Sequence, residues 1–213
     1  MKCVFFYSLL LLTSTITRAA TPIDGWYASA FGGYAYLPNN LNATHNGLTY
    51  SNLVYQPGYD VGGNLGYTSN PMRYEAELTY LNANMDRFNI NHVPQTQVGG
   101  YNNAILGMAN VYYDAPGLIP CLQPFLGGGI GYAWINVQLH NLLPENESSY
   151  RVSTSAFAYQ GIVGITYNFA ENYALALSYR YFATPHVFDL DHIFQANFGN
   201  LSVIYRFDYN KYQ

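Results

Sequence analysis

The residues best suited to catalysis or metal binding are five histidines in polar stretches that we expect to form loops: His45, His92, His140, His186 and His192. A neutral imidazole is a common metal ligand and general base. His186 and His192 bracket two carboxylates, Asp189 and Asp191, and so form one candidate metal or base site. Their spacing matches no metalloenzyme motif, and the sequence predicts solvent-facing loop histidines and no metal site.

Nucleophilic catalysis needs a hydroxyl within hydrogen-bonding reach of an oriented base. The sequence has no Gly-x-Ser-x-Gly element and no His-x-Ser pair on a predicted strand, and Ser148, Ser149 and Ser153 are only loosely near His140. The glycine run from 127 to 131 precedes no helix that could receive a phosphate. We expect these glycines to allow close strand packing or to leave room for large neighbours. The sequence therefore predicts no enzyme and no cofactor.

Charged side chains on predicted strands form the other candidate cluster: Asp60, Arg73, Glu75, Glu77, Arg180 and Arg206. They stand out because only 9% of the chain is charged, against roughly 25% in an ordinary soluble protein. Arginine and carboxylate side chains out of contact with water require pairing. We therefore expect Arg73, Arg180 and Arg206 to pair with Glu75, Glu77 and Asp60.

The elements that carry these charges show the two-residue alternation of β-strands. Four segments, beginning near Tyr59, Met72, Leu175 and Leu201, each place large apolar and aromatic residues on one face and polar residues on the other. Four weaker segments cover about 25 to 37, 100 to 113, 123 to 137 and 153 to 169. There the pattern is mixed, since Leu106, Met108 and Ile162 share a face with Asn102, Asn110 and Gln160.

Connection lengths alternate between long and short along the chain. The long ones run about 38 to 57, 84 to 98, 138 to 152 and 183 to 193, and the others 68 to 71, 114 to 122 and 170 to 172. Transmembrane barrels with both termini in the periplasm have short periplasmic turns and longer extracellular loops. The sequence predicts an all-β, eight-stranded, antiparallel, up-and-down transmembrane barrel.

Energetics decide which face of each strand meets lipid. An arginine at the membrane midplane of a barrel costs roughly 2–4 kcal/mol, so the charged face points inward. The lumen of eight strands is just wide enough for side chains to fill, which predicts a packed polar plug. Aromatic residues near the short turns are expected to form a lipid-facing girdle: Tyr67, Tyr74, Tyr113, Tyr167 and Phe207.

Composition excludes other classes of protein. Half of the residues are hydrophobic, 17% are aromatic and the mean hydropathy is −0.05, which argues against a disordered chain and against a helical membrane protein. The net charge of −4 argues against a nucleic-acid partner.

The first twenty residues have the pattern of a secretory signal peptide: Lys2, an apolar run from Val4 to Leu12, and small residues at Ala19 and Ala20. We expect cleavage after Ala19 or Ala20, which leaves 21 to 213 as the barrel with strands from about 25 to 207. Cleavage also removes Cys3, so Cys121 has no intramolecular disulfide partner.

Several stretches together carry a family resemblance: Gly25-Trp26-Tyr27, residues 109 to 114, residues 124 to 133, Tyr179-Arg180-Tyr181 and Tyr205-Arg206-Phe207. Nearly the whole chain from residue 21 resembles small eight-stranded outer-membrane barrels of the OmpA-like and opacity-protein type. The resemblance implies location in the bacterial outer membrane, contact with its lipids, and insertion by the barrel-assembly machinery. In such proteins the machinery recognises an aromatic-ended last strand, here residues 200 to 207, with Ser202 where Gly is common. The tail from 208 to 213 departs from the family pattern and is too short for a peptidoglycan-binding domain.

The favoured function is a surface-exposed scaffold whose extracellular loops are available for adhesion or for binding a host or surface ligand, since rigid scaffolds carry binding function in their loops. The first loop, from 38 to 57, is rich in Asn and Tyr and suits adaptable hydrogen bonding. Two alternatives stay open: a narrow or gated pore, and, less favoured, an outer-membrane enzyme that modifies lipids.

Overall fold

The computed structural model describes residues 24–38, 43–45, 48–90, 93–95, 98–115, 121–141, 149–185 and 194–207. The predicted signal peptide and the tail from 208 to 213 lie outside these ranges. Within them the chain forms eleven strands: β1 (Gly25–Tyr36), β2 (Ala43–His45), β3 (Leu48–Tyr55), β4 (Gly58–Ser69), β5 (Met72–Ile90), β6 (Val93–Gln95), β7 (Val98–Asp114), β8 (Leu122–Asn141), β9 (Ser149–Asn168), β10 (Tyr173–Thr184) and β11 (Phe194–Arg206).

Eight of these strands close into a barrel. Each long strand pairs antiparallel with the next, in the order β1, β4, β5, β7, β8, β9, β10 and β11. Closure comes from β1 and β11, which pair from Tyr27 with Arg206 to Tyr36 with Asn197. The predicted eight-stranded antiparallel barrel is confirmed.

Tight turns lie at one end of the barrel, together with the two ends of the described chain. Ser69 and Met72 face each other across the first turn, and Asn168 pairs with Ala174 beside the second. Both Gly25 and Arg206 lie at this end, where Phe207 N donates to Trp26 O at 2.9 Å. We call it the turn end, and the opposite end the loop end.

Three of the four connections predicted as long loops are partly strand, so those loop boundaries were wrong. β2 and β3 lie within 38 to 57, and β3 pairs with the far end of β5 from Tyr50 with Ile90 to Tyr55 with Met85. β8 and β9 stay paired as far as His140 with Ser149. In these stretches the backbone pairing continues past the positions where the sequence analysis ended the strands.

The alternation of polar and apolar residues along the strands corresponds to alternation between the lumen and the outer surface. Along β4, Asp60 and Thr68 are buried, whereas Tyr59, Val61 and Leu65 are about half exposed. Successive strand residues point to opposite faces, so one set lines the lumen and the other covers the outside. The mixed strands are explained too: Leu106, Met108 and Ile162 are buried and fill the lumen beside polar neighbours.

Candidate functional site

The polar lumen and its surroundings

The lumen contains a buried ion cluster centred on Arg180. Its guanidinium reaches across the barrel from β10, with Nη2 2.7 Å from Asp60 Oδ2 on β4 and Nη1 bonded to Glu77 Oε1 on β5. Its side chain is only 4% exposed. The guanidinium also lies over the ring of Phe198, 4.5 Å from its centroid. One side chain thus ties three strands together.

Amide and hydroxyl groups surround the two carboxylates. Glu77 accepts hydrogen bonds from Thr79 Oγ1 at 2.7 Å, Asn110 Nδ2 at 2.7 Å and Gln160 Nε2 at 3.1 Å. Asp60 Oδ2 accepts a further bond from Asn200 Nδ2 at 2.6 Å, whereas Asp60 Oδ1 has no hydrogen-bond partner among the described residues. A buried ion pair needs such additional bonds to its remaining lone pairs, and this shell supplies them for Glu77 and for one oxygen of Asp60.

A second ion cluster lies nearer the turn end, around Arg73 on β5. Arg73 Nε is 2.6 Å from Asp114 Oδ2, and Nη1 is 3.5 Å from Glu75 Oε1. Glu75 in turn accepts hydrogen bonds from Tyr27 Oη and from Asn64 Nδ2, the latter at 2.9 Å. The guanidinium lies over the Tyr112 ring, with Cζ 4.8 Å from the centroid.

The third predicted arginine differs from the other two. Arg206 donates from Nη2 to Asn168 Oδ1 at 2.8 Å, and no described carboxylate lies within ion-pair distance of it. Its Nη1 has no hydrogen-bond partner among the described residues. The expected pairing of Arg206 with Glu75, Glu77 or Asp60 was therefore wrong, because its guanidinium lies nearer the turn end, beside Asn168.

The structure thus places all six predicted lumen residues on the inner face, but in two ion clusters and one separate guanidinium. The main contributor that the sequence analysis missed is Asp114. Asp114 lies two and four positions after Tyr112 and Asn110 on the same strand, so all three side chains point to the same face. This spacing could have identified Asp114 as lumen-facing. Tyr27, Asn168 and Asn200 were missed as well, since each bonds a charge on a distant strand.

Glycines on β8 make room for the polar side chains. A Cβ on Gly129 would overlap Asn110 Oδ1, and one on Gly127 would overlap the Tyr112 ring. A larger residue at either position would therefore force the neighbouring side chain to move. The expectation that the glycine run leaves space for large neighbours is confirmed.

The loop-end half of the lumen is apolar instead. Its centre is a cluster of three buried phenylalanines, with Phe182 6.4 Å from both Phe194 and Phe198 between ring centroids. Aliphatic residues fill the rest of the cross-section: Ala35, Leu37, Leu81, Ala83, Ala104, Leu106, Met108, Ala133, Ile135, Ala156, Ala158 and Ala196. This layer separates the ion clusters from the loop end.

Two cavities among the described residues lie in the polar half. One, about 40 Å³, borders both Arg73 and Arg180. The other, about 10 Å³, lies at the turn end between Arg73 and Arg206. A water molecule needs roughly 10–15 Å³, so the first has room for a few waters and the second for one at most.

Among the described residues, no group of three or more His, Cys, Asp or Glu side chains is arranged to hold a metal ion. His92, His186 and His192, with Asp189 and Asp191, lie outside the described residues. His45 and His140 were predicted in loops, which was wrong: they lie in β2 and β8.

The outer surface, its relatives and the membrane

The outside of the barrel is covered by large apolar and aromatic side chains. The five residues predicted as a girdle are exposed by 36% to 50%, all near the turn end: Tyr67, Tyr74, Tyr113, Tyr167 and Phe207. Neighbouring rings extend this group, since Tyr173 lies 5.0 Å from Tyr205 and Trp26 lies 5.5 Å from Tyr67 between centroids. Such a surface requires a hydrophobic environment.

Residues 6–207 match the family described as "Outer membrane protein beta-barrel domain". The chain belongs to that family. A curated relative named "Outer membrane protein", from Gluconacetobacter diazotrophicus, is 30% identical over 85% of this chain. The chain spans 52% of that relative's length.

Solved barrels share the fold at low sequence identity. Neisserial surface protein A is 18% identical with a TM-score of 0.56, covering 86% of this chain and 97% of its own. A major outer membrane protein of Thermus thermophilus is 10% identical with a TM-score of 0.57, and the match covers 85% of this chain and 99% of that protein. The attachment invasion locus protein of Yersinia pestis was solved in complex with the heparin analogue sucrose octasulfate. It is 14% identical with a TM-score of 0.50, and the match covers 87% of this chain and 100% of that protein.

This outer-membrane barrel protein therefore has lipid around its apolar belt, and the predicted location in the outer membrane is confirmed. The described residues include no helix that is long and apolar enough to cross a membrane. Short turns of such barrels face the periplasm and long connections face outward. The turn end is accordingly the periplasmic end and the loop end the extracellular one.

The belt ends on the extracellular side at outward-facing amides in two hydrogen-bonded pairs, one on β5 and β7 and one on β10 and β11. Asn82 Nδ2 donates to Asn103 Oδ1, and Tyr179 Oη donates to Asn197 Oδ1 at 2.6 Å. Polar groups of this kind are costly in hydrocarbon. We take the level of these amides as the outer boundary of the apolar belt.

Beyond that boundary the barrel wall has two heights. β5, β7, β8 and β9 continue for four to eight residues past the level of these amides, to Ile90, Val98, Asn141 and Ser149. At about 3.3 Å per residue, these strands extend roughly 13–26 Å further. On the other side, β1 ends at Tyr36 and β10 at Thr184, close to the boundary. We call the taller side, with β2, β3 and β6 attached, the extended wall.

Proposed function

We propose that the protein is a non-catalytic surface scaffold that holds the extended wall outside the membrane as a binding surface for molecules beyond the cell. The observation that carries this proposal is the continuation of four paired strands past the apolar belt. Strands that only cross the membrane need about 9–11 residues, whereas β5, β8 and β9 have 19, 20 and 20. The extra length has no use within the lipid.

The lumen supports a scaffold rather than a pore. The three phenylalanines and their aliphatic neighbours fill the extracellular half of the interior, and the ion clusters cross-link the other half. A packed lumen of this kind stiffens the barrel that carries the wall. In planar bilayers we therefore expect little or no conductance, and steady channel openings would contradict the scaffold proposal.

The binding proposal can be tested by shortening the wall at register pairs. Asn84 pairs with Tyr101 and Gln138 with Arg151, so an Asn-Gly turn can join each pair without changing the barrel register. We expect bacteria that display this short-wall variant to lose adhesion to host cells and to immobilised heparin. Heparin is included because of the analogue bound to the Yersinia pestis protein.

A matched control shortens the low side instead. Thr184 pairs with Phe194, and an Asn-Gly turn there removes a connection without touching the extended wall. This control should adhere like the unaltered protein. Both variants must shift in mobility between unboiled and boiled gels, as folded barrels do. Equal adhesion by the unaltered and the short-wall proteins would overturn the proposal.

The absence of catalysis is tested separately. Lipid profiles of outer membranes with and without the protein should be the same, and His140→Ala should leave them unchanged. An acyl change that depends on His140 would favour a lipid-modifying enzyme over a scaffold.

A further inference from the structure

A row of uncharged polar side chains lies on the outer face of the barrel, where the extended wall leaves the apolar belt. Its core consists of direct register partners on four neighbouring strands: Asn82 on β5, Asn103 on β7, Asn136 on β8 and Ser153 on β9. Barrel strands tilt by roughly 35–45°, so the row climbs obliquely towards Ser153. Asn84 and Ser155 lie one outward position away on β5 and β9. We call these six exposed or half-exposed residues the outer polar row.

The outer polar row begins directly above large apolar or aromatic side chains on all four strands. The next outward residues on the periplasmic side are exposed by 37 to 49%: Tyr80, Ile105, Trp134 and Phe157. Trp and Tyr favour the interface between hydrocarbon and headgroups. A lipid whose acyl chains lie against these residues therefore has its headgroup beside the outer polar row.

The outer polar row offers hydrogen bonds of both kinds but no formal charge. An Asn amide has two N–H donors and a carbonyl acceptor, and a Ser hydroxyl donates and accepts. The bond from Asn82 Nδ2 to Asn103 Oδ1 holds two of the amides side by side. Sugar hydroxyls also donate and accept, so they match these groups. Phosphate is recognised best by the cationic side chains Arg and Lys, and the row contains neither.

We propose that the outer polar row binds the headgroup of an outer-leaflet glycolipid through uncharged sugar rings. Three strand spacings separate Asn82 from Ser153, about 14 Å, which is close to the length of a disaccharide. On β1 and β4 the outward positions near the boundary are tyrosines instead: Tyr34, Tyr36 and Tyr59. The sugar contact therefore belongs to the side of the barrel that carries the extended wall.

This inference does not rest on the extended wall as an adhesive surface. The short-wall variant joins Asn84 to Tyr101 and Gln138 to Arg151, and so keeps all six residues of the outer polar row. Loss of adhesion in that variant and loss of glycolipid binding are therefore separate results.

The two tryptophans of the chain provide one reporter at each end of the barrel. Trp134 lies two positions from Asn136 on β8, whereas Trp26 lies at the turn end, where its carbonyl accepts a bond from Phe207 N. Trp26→Phe leaves Trp134 as the single tryptophan. Trp134→Phe leaves Trp26 and is the matched control.

Quenching by brominated lipids measures which lipid lies beside each reporter. Each single-tryptophan protein is reconstituted in phosphatidylcholine vesicles that contain diglucosyldiacylglycerol, phosphatidylglycerol or phosphatidylcholine with brominated acyl chains. At Trp134 we expect the glycolipid to be preferred over phosphatidylcholine by about two- to tenfold, as the net gain of one hydrogen bond gives. At Trp26 we expect no preference. Equal quenching at Trp134 by brominated glycolipid and brominated phosphatidylcholine would overturn the proposal, and so would an equal glycolipid preference at Trp26.

Substitutions in the Trp26→Phe protein locate the preference. Asn103→Leu combined with Asn136→Leu should remove most of it. Asn197→Leu is the matched control, since Asn197 is an outward amide at the same boundary but bonds Tyr179 on the other side of the barrel. It should retain the full preference. A preference that survives the double substitution would contradict the site, and the Trp26→Phe protein alone decides whether a preference exists if the double variant does not fold.

Arg151 is the competing explanation for any lipid preference. It lies two positions beyond Ser153 on β9, and its side chain is outside the described residues. If Arg151 attracted a lipid phosphate, phosphatidylglycerol would be preferred at Trp134 and Arg151→Gln would abolish that preference. We expect phosphatidylglycerol to behave like phosphatidylcholine, and Arg151→Gln to leave the glycolipid preference unchanged. A phosphatidylglycerol preference that depends on Arg151 would refute recognition through sugar.

Discussion

The two halves of the lumen are closed in opposite ways by the same barrel. In the periplasmic half, Arg73 and Arg180 draw strands together through bonds to carboxylates across the interior. In the extracellular half, Phe182 and its neighbours fill the same cross-section with apolar contacts. The polar half depends on every partner being present, whereas the apolar half depends on volume and on the absence of charge. Substitutions can separate these two requirements.

The largest effect is expected from a charge placed in the apolar half. Ile135 is buried there, and its register partners are the uncharged Ala104 and Thr154, so Ile135→Asp would bury an unpaired carboxylate at a cost of several kcal/mol. We expect little folded protein, measured by gel mobility of unboiled samples. Ile135→Leu, which preserves volume, should cost less than about 1.5 kcal/mol. Normal folding of the Asp variant would show that this half is hydrated.

Removing the central cation tests the polar half. Arg180→Met leaves Asp60 and Glu77 buried and uncompensated, and we expect a loss of about 3–5 kcal/mol in the free energy of unfolding, measured by urea titration in micelles. Adding Asp60→Asn and Glu77→Gln to this variant should restore much of the loss. If the single variant is as stable as the unaltered protein, the ion cluster does not hold the barrel together.

The glycines of β8 and β9 test how tightly the polar half is packed. Gly129→Ala should cost about 1–3 kcal/mol, because the new Cβ overlaps Asn110. Gly161→Ala is the matched control: Gly161 pairs with Gly128 on the adjacent strand, and a Cβ there meets nothing within 4 Å. We expect its stability to change by less than about 0.5 kcal/mol. Equal costs at the two positions would contradict the packing argument.

The smallest effect distinguishes two fully buried threonines. Thr79 in the polar half donates to Glu77 at 2.7 Å, so Thr79→Val should destabilise by about 1–2 kcal/mol. Thr184 lies at the extracellular end, and its Oγ1 has no partner among the described residues. Thr184→Val removes that unpaired group and should be neutral or stabilise by up to about 1 kcal/mol. Urea titrations of both variants check whether the signs are opposite.

Sequence reasoning identified the barrel because inside and outside alternate with every residue, which is a local property. The faces of β4, β5, β10 and β11 could be assigned from neighbouring residues alone. The extended wall was missed because strands outside the lipid can carry polar and charged residues, so that residues such as Gln138 and Arg151 suggested a loop although they pair with each other. The pairing of β8 with β9 as far as His140 depends on backbone hydrogen bonds between strands, which side-chain type does not specify.

Partners within the lumen were less predictable. Arg180 meets Asp60 across 120 positions of sequence, and Arg206 meets Asn168 rather than a carboxylate. The two-residue alternation along a strand predicts that a side chain points inward. The stagger between neighbouring strands decides at which height in the barrel that side chain lies. The division of the lumen into apolar and polar halves follows from that stagger, since inward apolar residues such as Leu106 occur on strands that also carry inward polar ones.

The sequence by itself determined the strand periodicity, the inward direction of the charges and the apolar outer belt, because a residue's neighbours two positions away share its environment. Only the tertiary structure decided which charges meet, where the interior becomes apolar, and that the Arg206 guanidinium bonds the amide of Asn168 rather than a carboxylate. Those outcomes depend on the register of eight strands around a closed ring, and no single strand contains that information.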